Sequence, residues 1–570
     1  MKKAAPWSVM VGVLFLVVGG SYYQTAQAKK PVPPSPIIKP GDCYACHDEI
    51  KQFHQRGKHA KLGCTNCHEG LEDHLKDYEN KPLTLTSLAV CGKCHQEQYS
   101  SFIDVNLESR PKVEKSTSTS RSPLFDSIMR PHVFTREHGE PRSHVFMLLD
   151  QYLVDRAFGG RFQLKDLRFV SDGKKSARSV WDVLTDLEPE TSEQKIFPPY
   201  SPRTAATAAN PVCLSCKTQD HILKWAYMGD KNPKAKWDRT SRVVEFARDV
   251  RHPINCYACH DPHSTQPRVV RDALINAVVD RGEGTYPYDK EKSKKITMEK
   301  VTFRDFRAIG LLNKPDSILM CAQCHVEYNC NPVINPKTGE TIGMTDRRTN
   351  EFQWKNVFDY DAWVEKQGYR DFRNEVTGAL LSKIQHPETE VFWGSRHERA
   401  GVECKDCHMP KVKKGNKTYT WHGQKSAKYM KRDTCLRCHS AWNEKEVDYQ
   451  IESIQNYTRG KMRKAEFWLA EFVKTFQLAR AVGVSEEILI ESRRFHTKAH
   501  TKWEWWTAEN SDGFHNPAQA KAALLESIQT SIDGVKFLEK AVEDRTKTTG
   551  PVPGVKLNFF WGGCPSPFMG

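Results

Sequence analysis

Seven C-x-x-C-H motifs punctuate this chain, and an eighth copy, Cys213-Leu214-Ser215-Cys216-Lys217, ends in lysine. In such a motif the two thiols attach covalently to heme, and the histidine ligates the iron from the proximal side. The histidine-ended copies are Cys43, Cys46 and His47; Cys64, Cys67 and His68; Cys91, Cys94 and His95; Cys256, Cys259 and His260; Cys321, Cys324 and His325; Cys404, Cys407 and His408; and Cys435, Cys438 and His439. A lone C-x-x-C pair also serves zinc or a disulfide, but seven copies with histidine in the same place specify heme. Together the eight motifs take 16 of the 18 cysteines and leave Cys330 and Cys564. Lysine in the eighth slot gives one iron a different axial ligand. A chain that only passes electrons has little use for one unlike site, whereas a chain that does chemistry at one iron has a good one. Neutral lysine ligates through a nitrogen lone pair, and its free pKa of about 10.4 means that binding iron displaces a proton.

Eight hemes need further ligands and counter-charges. Fifteen of the 22 histidines lie outside the motifs, enough to give seven hemes a second histidine. Proximity to the first three motifs and to that at Cys256 nominates His59, His74 and His263 as distal ligands of the N-terminal hemes. The formal charge of +15 invites a nucleic-acid or membrane-surface reading, but sixteen heme propionates would nearly cancel it. The lysine and arginine excess is better used pairing with those carboxylates, and no nucleic-acid partner is expected.

The elements that must position the motifs follow from the rest of the pattern. Residues 1–28 read as an export signal: Met1-Lys2-Lys3 is basic, Val9 to Gly20 apolar, and Ala26-Gln27-Ala28 a cleavage site. The apolar run is short for a membrane span of about 20 residues; an uncleaved anchor is the alternative. Export agrees with heme attachment outside the cytoplasm and implies the periplasm or an equivalent compartment. A linker at 29–42, rich in proline from Pro31 to Pro40, precedes an N-terminal triheme electron-transfer module at 43–95. Residues 96–440 form a catalytic pentaheme region, motif-free to 212 and with an exposed loop expected at Lys112 to Ser122. Residues 441–570 turn helical. Val447, Ile451, Ile454, Met462, Ala465, Leu469, Phe472 and Phe476 recur at three- and four-residue steps with one gap. Gly483 stops that helix, a second runs from about Ser485 to Glu509, and Asn516-Pro517 starts a third. These helices serve as a packing or oligomer scaffold, or they only cover the hemes. On the second, His496 and His500 lie four apart, a spacing used for zinc and equally for surface or heme-packing histidines. The expected fold is mainly α: a multiheme cytochrome c with little sheet, a heme-packed core and long C-terminal helices.

The motifs resemble, in order and in type, those of the ammonia-forming cytochrome c nitrite reductases, specifically their octaheme branch. These are related to the pentaheme nitrite reductases and to the octaheme hydroxylamine oxidoreductases. The resemblance covers nearly all the mature chain. In that family C-x-x-C-K marks the catalytic heme. Cys321-Ala322-Gln323-Cys324-His325-Val326-Glu327-Tyr328 is similar to the family's C-x-Q-C-H-V-E-Y, and Lys383-Ile384-Gln385-His386-Pro387 to its K-x-Q-H-P. The resemblance implies Tyr328 and His386 as catalytic residues. It implies calcium held by Glu327, Tyr328, Lys383 and Gln385. Pro141-Arg142-Ser143-His144 resembles P-R-G-H, and counting onward places the active-site arginine at Arg156, with Arg161 as runner-up. Tyr328-Asn329-Cys330 resembles the octaheme branch, where the cysteine is joined to the tyrosine ring by a thioether; a buried free thiol is the alternative. His144, His397, His422 and His515 match the distal ligands of the four bis-histidine hemes.

These expectations make chemical sense together. Reducing nitrite to ammonia takes six electrons and a succession of protons, which a heme chain, a tyrosine and a histidine would deliver. A small anion suits arginine and histidine donors. A hydroxylamine- or hydrazine-oxidising enzyme is an alternative, but that family keeps histidine at its catalytic heme, and Lys217 argues against it. A multiheme electron-transfer protein would need every heme six-coordinate. An open iron beside cationic donors would also accept hydroxylamine or sulfite. The expected partners are a redox protein or quinol-linked donor, and further copies of the chain in a homo-oligomer.

Overall fold

The computed structural model describes residues 38–104, 122–130, 144–146, 215–241, 252–329, 333–335, 337–338, 341–342 and 346–550. The expected signal, most of the linker, Lys112 to Arg121 of the expected loop, Arg156, Arg161, Cys213, Cys330 and Cys564 lie outside the described residues. Among the described residues no helix is long and apolar enough to cross a membrane.

The chain folds as two compact units, with described residues 38–46 and 63–84 in one and 47–62 and 85–550 in the other. The 43–95 module expected from the sequence is therefore divided: Cys43, Cys46, Cys64 and Cys67 belong to the first unit, Cys91 and Cys94 to the second. In the smaller unit Pro40 occupies the first turn of a helix, Pro40–Tyr44, that carries Cys43. A two-strand pair, His68–Glu69 with Leu83–Thr84, and the helix Leu71–Lys76 frame the second motif.

The larger unit is mainly helical, with small antiparallel sheets. The widest among the described residues has three strands: β1 (Arg268–Val269), β2 (Met298–Phe303) and β3 (Arg307–Leu312), with β3 central. The β2–β3 turn places Arg304 and Asp305 at φ 54° and 62°, the left-handed conformation that suits the strand twist of a hairpin.

Three long helices complete this unit: α1 (Glu444–Ala481), α2 (Glu486–Ala508) and α3 (Pro517–Thr549). Their ends follow local chemistry. Asn443 accepts from the Lys445 and Glu446 N–H groups while Glu446 accepts from the Asn443 N–H at 2.7 Å, a reciprocal cap. Gly483, at φ 76°, takes the left-handed conformation just beyond α1. Asn516 caps α3 and Pro517 opens it. Along α1, Val447, Met462, Ala465, Leu469, Phe472 and Phe476 are buried, and Ile451 and Ile454 half-buried. Gly534 of α3 meets the Phe472 ring so closely that an added Cβ would lie 2.7 Å from it.

The C-terminal half of α2 is buried on every side. His496 hydrogen-bonds Thr377 Oγ1 at 2.8 Å, and His500 Nε2 approaches Glu504 Oε2 at 3.0 Å. Both histidines are fully buried, which corrects the surface reading. Among the described residues no cluster of three metal-ligating side chains forms. Glu504 instead pairs with the Lys383 ammonium at 3.0 Å. Helix α2 thus fixes the segment that carries Gln385 and His386.

Candidate active site

Lys217 is half-buried and stands just before the helix Asp220–Lys224. The Thr218 hydroxyl sets this segment, donating to His252 O at 2.7 Å and accepting from the Asp220 N–H at 3.1 Å. Next to the lysine, the Cys216 thiol hydrogen-bonds Cys324. That bond, aided by the Arg271 and Lys217 charges and working against burial, lowers the Cys216 thiol below its ordinary value. Gln323 joins three segments here. Its side-chain oxygen accepts from the Val270 and Arg271 N–H groups at 2.6 and 3.3 Å, while its amide donates to Ala258 O at 3.1 Å and Met320 O at 3.0 Å. The glutamine of the C-x-Q-C-H motif therefore holds the motif at Cys256 and the strand β1 exit against the motif at Cys321.

Tyr328 is largely buried, and backbone bridging to Phe352 positions it. Its ring stacks with that of His386, centroids 6.4 Å apart at 26°. Arg271 lies 5.9 Å over the Tyr328 ring and 5.4 Å over Phe352. The loop bearing His386 is tied to the Cys321 motif: Thr389 donates through its hydroxyl and its N–H to His325 O, and Glu388 pairs with His325 at 3.4 Å. Arg271 links two clusters far apart in sequence: its charge acts on the Cys216 and Cys324 thiols beside Lys217, and it lies over the ring of Tyr328, which stacks on His386. Arg271 carried no signal of its own in the sequence, because its place depends on the Gln323 contact.

The expected calcium residues are also adjacent. Glu327 is buried; one carboxylate oxygen accepts from the Gln385 N–H at 2.6 Å and the other has no hydrogen-bond partner among the described residues. Burial, with Glu390 and Asp371 nearby, pushes its carboxyl well above the ordinary range. Asp371 accepts from the Lys383 N–H at 2.7 Å and is itself pushed up to about 7, chiefly by burial. Lys383 turns its ammonium toward Glu504, and the Gln385 side chain lies 3.4 Å from Lys383 O. A carboxylate with an orphaned oxygen beside two amide carbonyls is a hard-oxygen set that fits a calcium ion, and a cation there would relieve the crowded negative charge.

Residues 193–556 match the family model described as cytochrome c552. The chain belongs to the cytochrome c552 family. Among its relatives is the cytochrome c-552 of Parabacteroides distasonis, 27% identical over 336 residues, which cover 58% of this chain and 59% of the relative. The cytochrome c nitrite reductase subunit NrfA of Nitratidesulfovibrio vulgaris is 26% identical over 361 residues, covering 58% and 60% respectively. The chain spans about three fifths of the length of these curated relatives. The solved catalytic subunit of the Desulfovibrio desulfuricans cytochrome c nitrite reductase, described with two calcium sites, superposes with a TM-score of 0.56 at 22% identity, covering 82% of this chain and 90% of that one. The fold is the same, mainly helical multiheme cytochrome fold.

A cytochrome c552 carries covalent heme c, and the histidine geometry suits it. Two imidazoles bound on opposite faces of one iron, each through a nitrogen at about 2 Å, place their ring centroids roughly 6 Å apart. Among the described residues, four pairs that join a motif histidine to one outside the motifs have that spacing: His59 with His95 at 6.1 Å, His144 with His325 at 6.2 Å, His397 with His439 at 6.3 Å, and His408 with His515 at 6.3 Å. The fifth association is electrostatic: after burial, the His422 charge is the strongest influence holding His260 down to about 4. Several rings have one nitrogen committed elsewhere. Nδ1 of His59, His74, His408 and His422 donates to the carbonyls of Pro262, Asn80, Lys425 and Thr420, and Nδ1 of His515 meets Glu509 at 2.7 Å. A ring held this way through Nδ1 would meet a metal through Nε2. His263 lies in a turn closed by its N–H to Asp261 at 3.1 Å.

Neighbouring motifs touch through their thiols. Cys91 hydrogen-bonds Cys256, Cys216 bonds Cys324, and Cys321 bonds Cys404. Cofactors attached at these sulfurs would be neighbours in two series, one joining the motifs at Cys91 and Cys256, the other joining the lysine-bearing motif to the motifs at Cys321 and Cys404.

Proposed function

We propose that this cytochrome carries eight hemes c and reduces nitrite to ammonia at the heme ligated by Lys217. The observation that carries the reading is Arg271, which joins the Cys216 and Cys324 thiols beside Lys217 to the stacked pair of Tyr328 and His386. When bound, the heme supplies electrons and a Lewis-acidic iron for the nitrogen. The chain does the rest. Lys217 would hold the iron of that heme and leave it able to take substrate. Tyr328 and His386, stacked on one another, hold protons at the phenol oxygen and an imidazole nitrogen for the departing oxygens. Arg156, in the resemblance, orients the anion. Calcium held by Glu327, Gln385 and the Tyr328 and Lys383 carbonyls would fix the loop that carries His386. A thioether from Cys330 to the Tyr328 ring would make the phenol a readier donor. Relatives named nitrite reductase support the substrate, and the touching thiols support delivery of electrons from a redox protein or quinol-linked donor. The family match begins beyond the motifs at Cys43, Cys64 and Cys91, consistent with a three-heme addition to a five-heme core. Export to the periplasm and homo-oligomer assembly complete the reading.

Electron paramagnetic resonance of the oxidised protein tests it. One high-spin heme among eight, lost or altered in Lys217→His, is the expected result. Eight low-spin hemes would contradict an open lysine-ligated site.

A further inference from the structure

Arg271 stands between strand β1 and the helix Asp272–Ile275, with its backbone N–H accepted by Gln323. Its side chain is 2% exposed. Nη2 donates to Asn350 Oδ1 at 3.1 Å, but Nε and Nη1 have no acceptor among the described residues. The nearest carboxylate, Asp272, lies 3.9 Å away and is engaged elsewhere: it accepts from Trp225 Nε1 at 3.1 Å and from the Met228 and Ala273 N–H groups at 2.7 and 3.0 Å. Asn350 is fully buried, and its Nδ2 is likewise without an acceptor. A guanidinium and a carboxamide, bonded to each other, therefore leave donors without acceptors among the described residues in a buried site beside Tyr328. Buried donors of this kind are costly unless something accepts from them, most of all when one is charged.

We propose that Arg271 and Asn350 form a receptor for a planar two-oxygen anion beside Tyr328. The guanidinium fork matches such an anion bidentately. Nitrite has this form, and so does a carboxylate of the attached heme. The substrate assignment rests on the nitrite-reduction reading; the anion receptor does not.

The test uses purified holoprotein carrying Arg271→Gln, Arg271→Lys or Asn350→Ala. Heme content, midpoint potentials and the affinity for nitrite and for neutral hydroxylamine are measured, the last two by visible-spectrum titration without turnover. A nitrite receptor predicts full heme content and, in the charge-conserving Arg271→Lys, unchanged potentials. It also predicts about tenfold weaker nitrite binding in Arg271→Gln, partial recovery in Arg271→Lys, a smaller loss in Asn350→Ala, and little change for hydroxylamine. Shifted potentials or lowered heme content with nitrite affinity intact assign the receptor to a heme carboxylate. If Arg271→Gln fails to assemble, the other two variants decide. Unchanged affinity and unchanged potentials overturn the receptor altogether. A wild-type protein that binds nitrite but forms no ammonia would sink the nitrite-reductase reading and leave the receptor standing.

Discussion

Glu466 ties helix α1 to the segment before it in a way that makes stability depend on pH. Its side chain is buried, and Oε1 accepts from the Leu124 N–H at 2.7 Å. The helix Phe125–Met129 begins there, with Phe125, Ile128 and Met129 in the core. Burial pushes the Glu466 carboxyl from 4.5 up to about 8, the Leu124 bond opposing the rise. Below the lower value both folded and unfolded chains hold the proton, and there is no effect. Between the two values the unfolded chain releases the proton while the folded chain keeps it, so stability falls as pH rises; above the higher value the loss is complete. At about 1.4 kcal/mol per pH unit, the ceiling is about 5 kcal/mol. Glu466→Gln keeps an acceptor for Leu124 and removes the titration. Urea unfolding of the holoprotein should show the variant and wild type about equal near pH 4, with the variant more stable by about 2–5 kcal/mol near pH 9. A difference that stays constant with pH, or a wild type that gains stability toward high pH, would refute the reasoning.

Three further outcomes follow from the site and the core. Tyr328→Phe and His386→Asn should each lower ammonia formation by about 10²–10⁴-fold, the usual worth of a proton-transfer group, with a far smaller effect on nitrite affinity; equal losses in affinity with turnover intact would recast both as binding residues. Removing calcium with a chelator should lower turnover reversibly in the wild type, whereas Glu327→Gln should start low and respond little; an unaffected wild type would remove calcium from the account. Gly534→Ala should destabilise by about 1–3 kcal/mol, because its Cβ would stand 2.7 Å from the Phe472 ring; an unchanged urea midpoint would mean that α1 and α3 separate freely.

The features legible in the sequence are those set by neighbours along the chain. Gly483 and the Asn516-Pro517 pair mark helix ends because capping is local, and the apolar steps from Val447 to Phe476 follow the buried stripe of α1. Covalent heme motifs are equally local. The remainder depends on convergence. Arg271 and Asn350 meet from separate segments, and only Gln323, bonded to the Arg271 backbone, brings the arginine to the lysine motif. His59 was nominated by proximity alone, and its ring pairs with His95 of the third motif. His496 and His500 look amphipathic by spacing, yet they are buried because Thr377, Ser382 and Glu504 satisfy ring nitrogens inside the core. The Cys91 thiol likewise bonds Cys256 across a long stretch of sequence.

The central claim, reduction of nitrite to ammonia, is tested most directly by supplying ¹⁵N-nitrite and a low-potential donor to the purified holoprotein and counting both product and electrons. The expected nitrogen product is ¹⁵N-ammonium, with six electrons consumed per nitrite and most of the rate lost in Lys217→His. Nitric oxide as the end product, or nitrite left unconsumed by a fully reduced protein, would contradict it.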